Sequence, residues 1–397
     1  MAYRKPDLLL YRMAQGVSRA ISSHYFKCRV LRNEIRNAEG PFVVVANHEC
    51  ALDFVNLIGM TNRRMTFVIS YSFYNSLPVT SVLEKLAVIP KQQFQTTVGN
   101  MKRMKNVVDA GEPLVIYPAG LMCEDGLPTP IPKGTYKILK WLGADVYAAR
   151  TTGSYFVMPK WQSGMRTGRT YMDVYKLIDK EELSQMSEDE IREKVDKAIL
   201  FDAYREQDEL KESYKDNDKL EGLQNVLFRC PECGSEFTIQ VRDGNTLHCT
   251  NCGYSATSDS YGMLKRSSSE GPDIRYVSDW SRHIYSRMKE DIISRRLQSL
   301  AAKTHIHMLD LKNHRFTEVG QGSISLNEEG FLLEGNVNGE EISRKFAISW
   351  FPTLPFSPGR FLELQHGNTI YRCVLDDGRL AMKFINMVKI FYELSSK

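Results

Sequence analysis

Apolar and polar residues follow two different rhythms in this chain, and they divide it. Up to about residue 225, short uninterrupted apolar runs alternate with stretches of helical period. FVVVA (42–46), MTFVIS (65–70) and PLVIYP (113–118) have the length and composition of strands buried on both faces of a parallel sheet. TTVGNMKRMKNVVDAG (96–111) reads as a helix closed by Gly111. Ser187 and Glu190 form a capping-box pair ahead of Ile191, Val195, Ala198 and Ile199, which recur at helical spacing. Strand and helix in alternation predict an α/β domain over 1–225.

From about residue 305 the period changes to two. SISL, FLLEG, EISRKFAIS and RFLELQHGNTIYRCVL alternate, with Asn338-Gly339 and Gly367-Asn368 as turns. The chain closes on a helix with Leu380, Phe384, Val388 and Phe391 on one face. A mainly antiparallel β domain with a C-terminal helix is predicted over 305–397, in a pattern similar to the pleckstrin-homology-like barrel. Between the two lie a Cys-rich segment (226–258) and a connecting region (259–304). In that region KRSSSEGPD (265–273) reads as linker and Trp280 to Leu300 as helix.

The Cys-rich segment carries the sharpest local signal. Cys230-Pro-Glu-Cys233-Gly and Cys249-Thr-Asn-Cys252-Gly are tight knuckles 15 residues apart, bridged by a hairpin that turns at Asp243-Gly244. Four thiolates suit tetrahedral Zn2+, with iron in a rubredoxin-like site as the alternative, and a zinc ribbon is predicted. The role expected of the metal is structural, because so small a segment needs it to fold. Nucleic-acid binding is disfavoured, since Arg229 and Arg242 are the only basic residues of the segment.

At 397 residues the chain is too long for one core. Its net charge of +4 is modest, but residues 1–40 hold eight Lys and Arg against three acids. There Leu8, Leu9, Leu10, Met13, Val17 and Ile21 sit among the basic residues. They describe either an interfacial amphipathic helix on anionic lipid or a helix packed on the α/β domain. Trp141 is expected in the core, and SWFPTLPFSPG (349–359) is expected to face a membrane. No apolar run approaches the roughly 18–20 residues needed to span a bilayer, and no signal-peptide core is present. A cytoplasmic protein, peripherally associated with the membrane, is expected. Cys28, Cys50, Cys123 and Cys373 are read as reduced thiols.

Candidate chemistry lies where FVVVA ends, at Asn47-His48, with Asp53 five residues beyond His48. A helix beginning just after His48 would let the carboxylate reach back to one ring nitrogen, leaving the other free as a base. Open α/β sheets place their sites at such strand ends.

Here the sequence resembles a known family. Asn47-His48-x4-Asp53 looks like the first motif of the glycerolipid acyltransferases of the lysophosphatidic acid type. Val88-Ile89-Pro90-Lys91, Ile116-Tyr117-Pro118-Ala119-Gly120, Asp125-Gly126, Lys133-Gly134 and Gly153-Ser154-Tyr155 follow in the family's order over about residues 25–205. The resemblance implies acyl transfer from a thioester, acyl-CoA or acyl carrier protein, to the hydroxyl of a lysophospholipid-like acceptor. It implies His48 as base and Asp53 as its orienter. It also implies substrate contacts from Asn47, from Lys91 in place of a phosphate-binding Arg, and from Gly120. Two departures bear on the acceptor. Ala119 stands where the family has Glu, with Glu124 or Asp125 as a displaced carboxylate, and Leu121-Met122 replaces a Thr-containing pair. A lipid-binding protein without turnover is the alternative reading.

Overall fold

Strand β2 (Phe42–Ala46) is buried at every position, as an all-apolar run between two helical layers requires. It lies at the middle of a seven-stranded sheet with β1 (Arg29–Asn33), β3 (Thr66–Ser70), β4 (Ile89–Lys91), β5 (Leu114–Ile116), β6 (Asp145–Thr152) and β7 (Tyr171–Ile178). Their order is β1-β7-β6-β2-β5-β3-β4. Strands β6, β2, β5, β3 and β4 run parallel; β7 turns against β6, and β1 pairs parallel with β7. The computed structural model describes residues 3–76, 80–92, 97–215, 219–367 and 369–395, so Asn368 of the expected Gly367-Asn368 turn and Thr96 lie outside the described residues.

Side chains of β2 alternate between two cores. Val43 and Val45 face helices α3 (Val98–Asp109), α4 (Gly134–Leu142) and α5 (Glu188–Ile199) through Val107, Leu139 and Val195. Phe42, Val44 and Ala46 face the opposite layer, where Tyr11 of α1 (Leu8–Ile21) and Leu57 of α2 (Phe54–Leu57) pack. Ser187 caps α5 in a complete capping box with Glu190. At the N-terminal edge of the sheet, Arg63 gathers three strand beginnings. Its guanidinium donates to the carbonyls of Ala38 and Gly40 ahead of β2 and of Gly111 ahead of β5, while Arg63 itself leads into β3.

This unit comprises Met1–Pro159 with Met165–Lys215, with helix α6 (Ala203–Leu210) near its end; Lys160–Gly164 with Asp216–Lys397 form a second. In the second, a four-stranded antiparallel sheet pairs β8 (Ile239–Arg242), β9 (Thr246–Cys249), β10 (Ser255–Ser258) and β11 (Leu264–Arg266) in the order β11-β10-β9-β8. Asp243 and Gly244 both have positive φ, which the β8–β9 turn needs. Lys265-Arg266, read as linker from composition, is strand: β11 pairs with β10 at an edge where polar side chains remain in water. The Cys-rich sheet is stitched to α7 (Val277–Ile293) and α8 (Leu380–Ser395). Trp280 is fully buried with its indole N–H on the Arg229 carbonyl at 2.9 Å; Arg229 pairs with Asp291 at 2.8 Å and Lys383 with Glu236 at 2.5 Å.

A seven-stranded antiparallel sheet completes this unit, with β12 (Leu300–Asp310), β13 (Arg315–Asn327), β14 (Gly330–Val337), β15 (Glu340–Ala347), β16 (Phe356–Ser357), β17 (Phe361–His366) and β18 (Thr369–Leu375). Its order is β15-β14-β13-β12-β18-β17-β16. The helix expected to reach Leu300 ends at Ile293, and Leu300 opens β12. Asn338 and Gly339, both at positive φ, form the two-residue β14–β15 turn. Helix α8 is buried over more than one face, including Met382, Ile385, Met387 and Ile390 besides Phe384, Val388 and Phe391.

Two surface expectations change, and both faces expected of α1 are present. The segment 349–359 packs inward through Phe351, Leu354 and Phe356 and leaves Trp350 exposed, so its apolar residues serve the core. Trp141, expected inside, is exposed with the Lys105 ammonium 6.0 Å from its ring centre. Helix α1 turns Leu9, Met13 and Val17 outward (70%, 58% and 61% exposed) beside exposed Arg12 and Arg19, and packs inward through Tyr11 and Ser18. Among the described residues no helix is long and apolar enough to cross a membrane.

Candidate functional site

Beyond Ala46 the chain leaves β2 and crosses a tight loop, residues 47–53, before the single turn of α2. The helix therefore begins at Phe54, later than the spacing predicts, and Asp53 reaches back across a turn instead of along a helix. Asp53 is 1% exposed. Its Oδ2 accepts from His48 Nδ1 at 3.0 Å, from the Glu49 N–H at 2.7 Å and from the Cys50 N–H at 2.9 Å. Oδ1 faces the Cys50 thiol at 3.4 Å. A carboxylate that accepts this many donors is fixed in place and fixes the imidazole with it. His48 is 19% exposed and stacks at a tilt on the Tyr117 ring, 4.6 Å between centres. Its Nε2 has no hydrogen-bond partner among the described residues and remains available to a ligand.

Asn47 is buried and its amide is engaged with the neighbouring strand. Oδ1 accepts the Thr151 N–H and Nδ2 donates to the Thr151 carbonyl, both at 2.7 Å. Asn47 thus extends the β2–β6 pairing with its side chain, one step past the backbone ladder. Lys91 ends β4 at the same carboxyl edge of the sheet as His48, two strands beyond β5. It is mostly buried, has no ion-pair partner among the described residues, and burial lowers its pKa. Gly120 is exposed at φ +69°, with its N–H on the Tyr117 carbonyl at 3.0 Å. Open space surrounds the position of a Cβ there, so backbone conformation is what calls for glycine.

Three residues, Glu49, Cys123 and Tyr117, meet the pair without any spacing in the sequence that announces the contact. Glu49 is fully buried; its carboxylate accepts the Tyr155 N–H at 3.0 Å. Cys123 donates its N–H to the His48 carbonyl at 3.2 Å and its thiol to the Glu49 carbonyl at 3.4 Å. Burial pushes the Cys50 and Cys123 thiols well up, so both stay protonated and act as donors. Tyr117 stands in the Ile116–Gly120 motif, which by itself says nothing of its ring lying on His48. A charged residue directly after His48, in an otherwise apolar stretch, was the one available signal. Glu124 and Asp125 are buried, and Asp125 Oδ1 accepts the Leu127 N–H at 3.0 Å.

In the second unit the four knuckle cysteines converge. Their sulfurs all lie within 4.8 Å of one another, with Cys230–Cys252 at 3.7 Å and Cys233–Cys249 at 3.8 Å. A tetrahedron with metal–sulfur bonds of about 2.3 Å has sulfur–sulfur edges of roughly 3.8 Å. The cluster has the size of a metal site, and these four residues are able to hold one.

A strand-end histidine backed by a buried carboxylate, on a largely parallel sheet, is an arrangement able to take up and return a proton. Residues 27–154, about a third of the chain, match the family model described as Acyltransferase. Among solved structures, the chain is similar to the crystal structure of the 1-acyl-sn-glycerophosphate (LPA) acyltransferase PlsC from Thermotoga maritima. Identity is 20% and TM-score 0.43, over 51% of this chain and 79% of that one. Comparison with curated proteins returns no match. The family match supports acyltransferase activity in general.

Proposed function

We propose that the protein transfers a fatty acyl group from a thioester, acyl-CoA or acyl carrier protein, to the hydroxyl of a lysophospholipid-like acceptor. The observation that carries this reading is the His48–Asp53 bond: Nδ1 is held at 3.0 Å and Nε2 is left open. In the proposed reaction, Nε2 takes the acceptor's hydroxyl proton as its oxygen attacks the thioester carbon. Asp53 keeps the neutral tautomer oriented and stabilises the imidazolium that forms. The tetrahedral oxyanion collapses, the carbon–sulfur bond breaks, and the imidazolium returns its proton to the departing thiolate. Lys91, a poorly solvated cation on the same sheet edge, is proposed to receive an anionic group of the acceptor. Gly120 is proposed to border the substrate, and Asn47 to act by holding the loop.

The outward apolar stripe of α1 with Arg12 and Arg19 supports a peripheral dock on anionic lipid, where acceptors of this kind reside. For the cysteine cluster we propose a structural Zn2+ held by Cys230, Cys233, Cys249 and Cys252 in a zinc ribbon. The strand order and closing helix of residues 300–395 are consistent with the pleckstrin-homology-like pattern, and recruitment or regulation is the role proposed for the second unit.

A second reading, lipid binding without turnover, draws on one observation. Ala119 occupies the family's Glu position, and Glu124 and Asp125 nearby are buried and engaged. The deciding assay gives purified protein and His48→Ala labelled acyl-CoA or acyl carrier protein with a panel of lysolipids. Transfer lost in the variant supports the enzyme; lysolipid binding without transfer supports the binder. Neither turnover nor binding overturns both.

A further inference from the structure

The loop bearing His48 and Asp53 contains a second buried carboxyl, and the reaction proposed above gives it no task. Glu49 has no exposed surface, although its neighbour His48 opens to solvent. Burying such a group costs several kcal/mol unless its oxygens are matched by donors. Here one donor comes from elsewhere in the unit and the other from the loop itself. Oε2 accepts the N–H of Tyr155, which follows the end of β6, at 3.0 Å, and Oε1 faces the Asn47 amide nitrogen at 3.4 Å. The main chain of Glu49 is engaged too: its N–H serves Asp53 and its carbonyl accepts the Cys123 thiol. One residue therefore joins Asp53, the segment after β6 and the segment after β5.

We propose that Glu49 is a positioning residue: it locks the loop of residues 47–53 onto the Gly153–Tyr155 segment, and so sets the distance at which Asp53 meets His48. This inference rests on the acyl-transfer reading of His48 and Asp53. The charged and titratable groups around Glu49 are Asp53 and Cys50 in its own loop, Cys123 after β5, Arg150 in β6, Glu206 in the helix Ala203–Leu210, and Tyr214. Burial, reinforced by Glu206 and Asp53, pushes the Glu49 carboxyl well above the usual carboxylate range. A neutral Gln should accordingly substitute well: its carbonyl still accepts from Tyr155, and what it gives up is the long 3.4 Å contact from the Asn47 amide, which stays bonded to the Thr151 carbonyl. Asp, one methylene shorter, keeps the acid but withdraws it from that N–H.

The test compares Glu49→Gln, Glu49→Asp and Glu49→Ala in the full chain, with circular dichroism and melting to select folded protein. We expect Glu49→Gln to keep kcat within roughly threefold. We expect Glu49→Asp and Glu49→Ala to lower kcat by about a hundredfold, as a displacement near 1 Å does, with KM for the thioester little changed. A second readout needs no substrate: the downfield proton resonance of the His48–Asp53 bond, present in the native protein and in Glu49→Gln, should broaden or vanish in Glu49→Asp. The proposal is overturned if folded Glu49→Asp keeps native kcat and that resonance. It is also overturned if Glu49→Gln is as impaired as Glu49→Ala, or if activity falls only in proportion to folded protein. Failure of the underlying reading shows differently, as full activity in His48→Ala.

Discussion

Replacing Asp53 by Asn separates geometry from charge at the proposed centre. Three N–H donors converge on Oδ2, whereas among the described residues Oδ1 meets only the Cys50 thiol. An Asn that places its carbonyl at the Oδ2 position keeps all three bonds and sets its NH2 against a sulfur, so Asp53→Asn should fold and hold the imidazole in place. What it loses is the negative charge facing the imidazolium. Charge centres about 4 Å apart at an effective dielectric near 20 interact by roughly 4 kcal/mol. Partial solvent access of His48 reduces this to about 2–4 kcal/mol, or a roughly 30- to 1,000-fold loss of kcat. Asp53→Ala serves as the contrast. It strands two buried N–H groups at about 1–3 kcal/mol each, a large share of the roughly 5–15 kcal/mol that stabilises a domain, and should largely unfold the first unit. The assay is thiol release from acyl-CoA in the presence of a lysolipid of the panel that supports transfer, with melting curves for both variants. Folded Asp53→Asn with kcat within threefold of native would refute a role for the Asp53 charge.

Other predictions concern regions outside this pair. Purified protein should carry about one zinc per chain by elemental analysis, and Cys233→Ser should lose both the metal and the melting transition of the second unit; a metal-free protein with an unchanged transition would refute the structural site. Leu9→Glu with Met13→Glu should weaken binding to anionic vesicles roughly tenfold or more, because two apolar anchors are lost, and should change stability by less than about 0.5 kcal/mol; unchanged vesicle binding would rule out the α1 dock. Burial holds the Lys91 pKa below its ordinary 10.5, so the folded state binds this proton more weakly than the unfolded chain. That costs stability at neutral pH, and the cost fades as pH rises toward 10.5. Lys91→Met should therefore melt at or above the native temperature at pH 7, lose that advantage near pH 10.5, and raise KM for an anionic acceptor. A variant less stable than native at pH 7 would contradict this account.

The elements legible in the sequence were those whose cause is local. FVVVA is strand because five consecutive apolar residues need burial on both faces, and Ser187 with Glu190 caps a helix through bonds three residues apart. Asp243-Gly244 and Asn338-Gly339 turn because of their own φ preferences. Less was legible where a partner distant in the chain decides. Lys265-Arg266 becomes strand only because β10 offers an edge. The apolar stripe of α1 was visible, but its periodicity cannot tell outward from inward; Tyr11, which accepts the Met65 N–H at 3.0 Å, sets the rotation. In the candidate site, the spacing of His48 and Asp53 is enough to anticipate their contact. Glu49 draws its meaning from Tyr155, 106 residues away, and no spacing rule connects them.

The Arg63 clamp has a consequence for how this sheet tolerates change. A single guanidinium fastens the beginnings of β2, β5 and β3, while His48 and Lys91 stand at the far ends of their strands. A five-residue strand such as β2 spans about 17 Å. Fastening at one margin lets the opposite margin accept new loop lengths and residues without loosening the strands beneath. Ala119 and Leu121-Met122 lie on that permissive margin, where loops can be rewritten while the scaffold stays as it is.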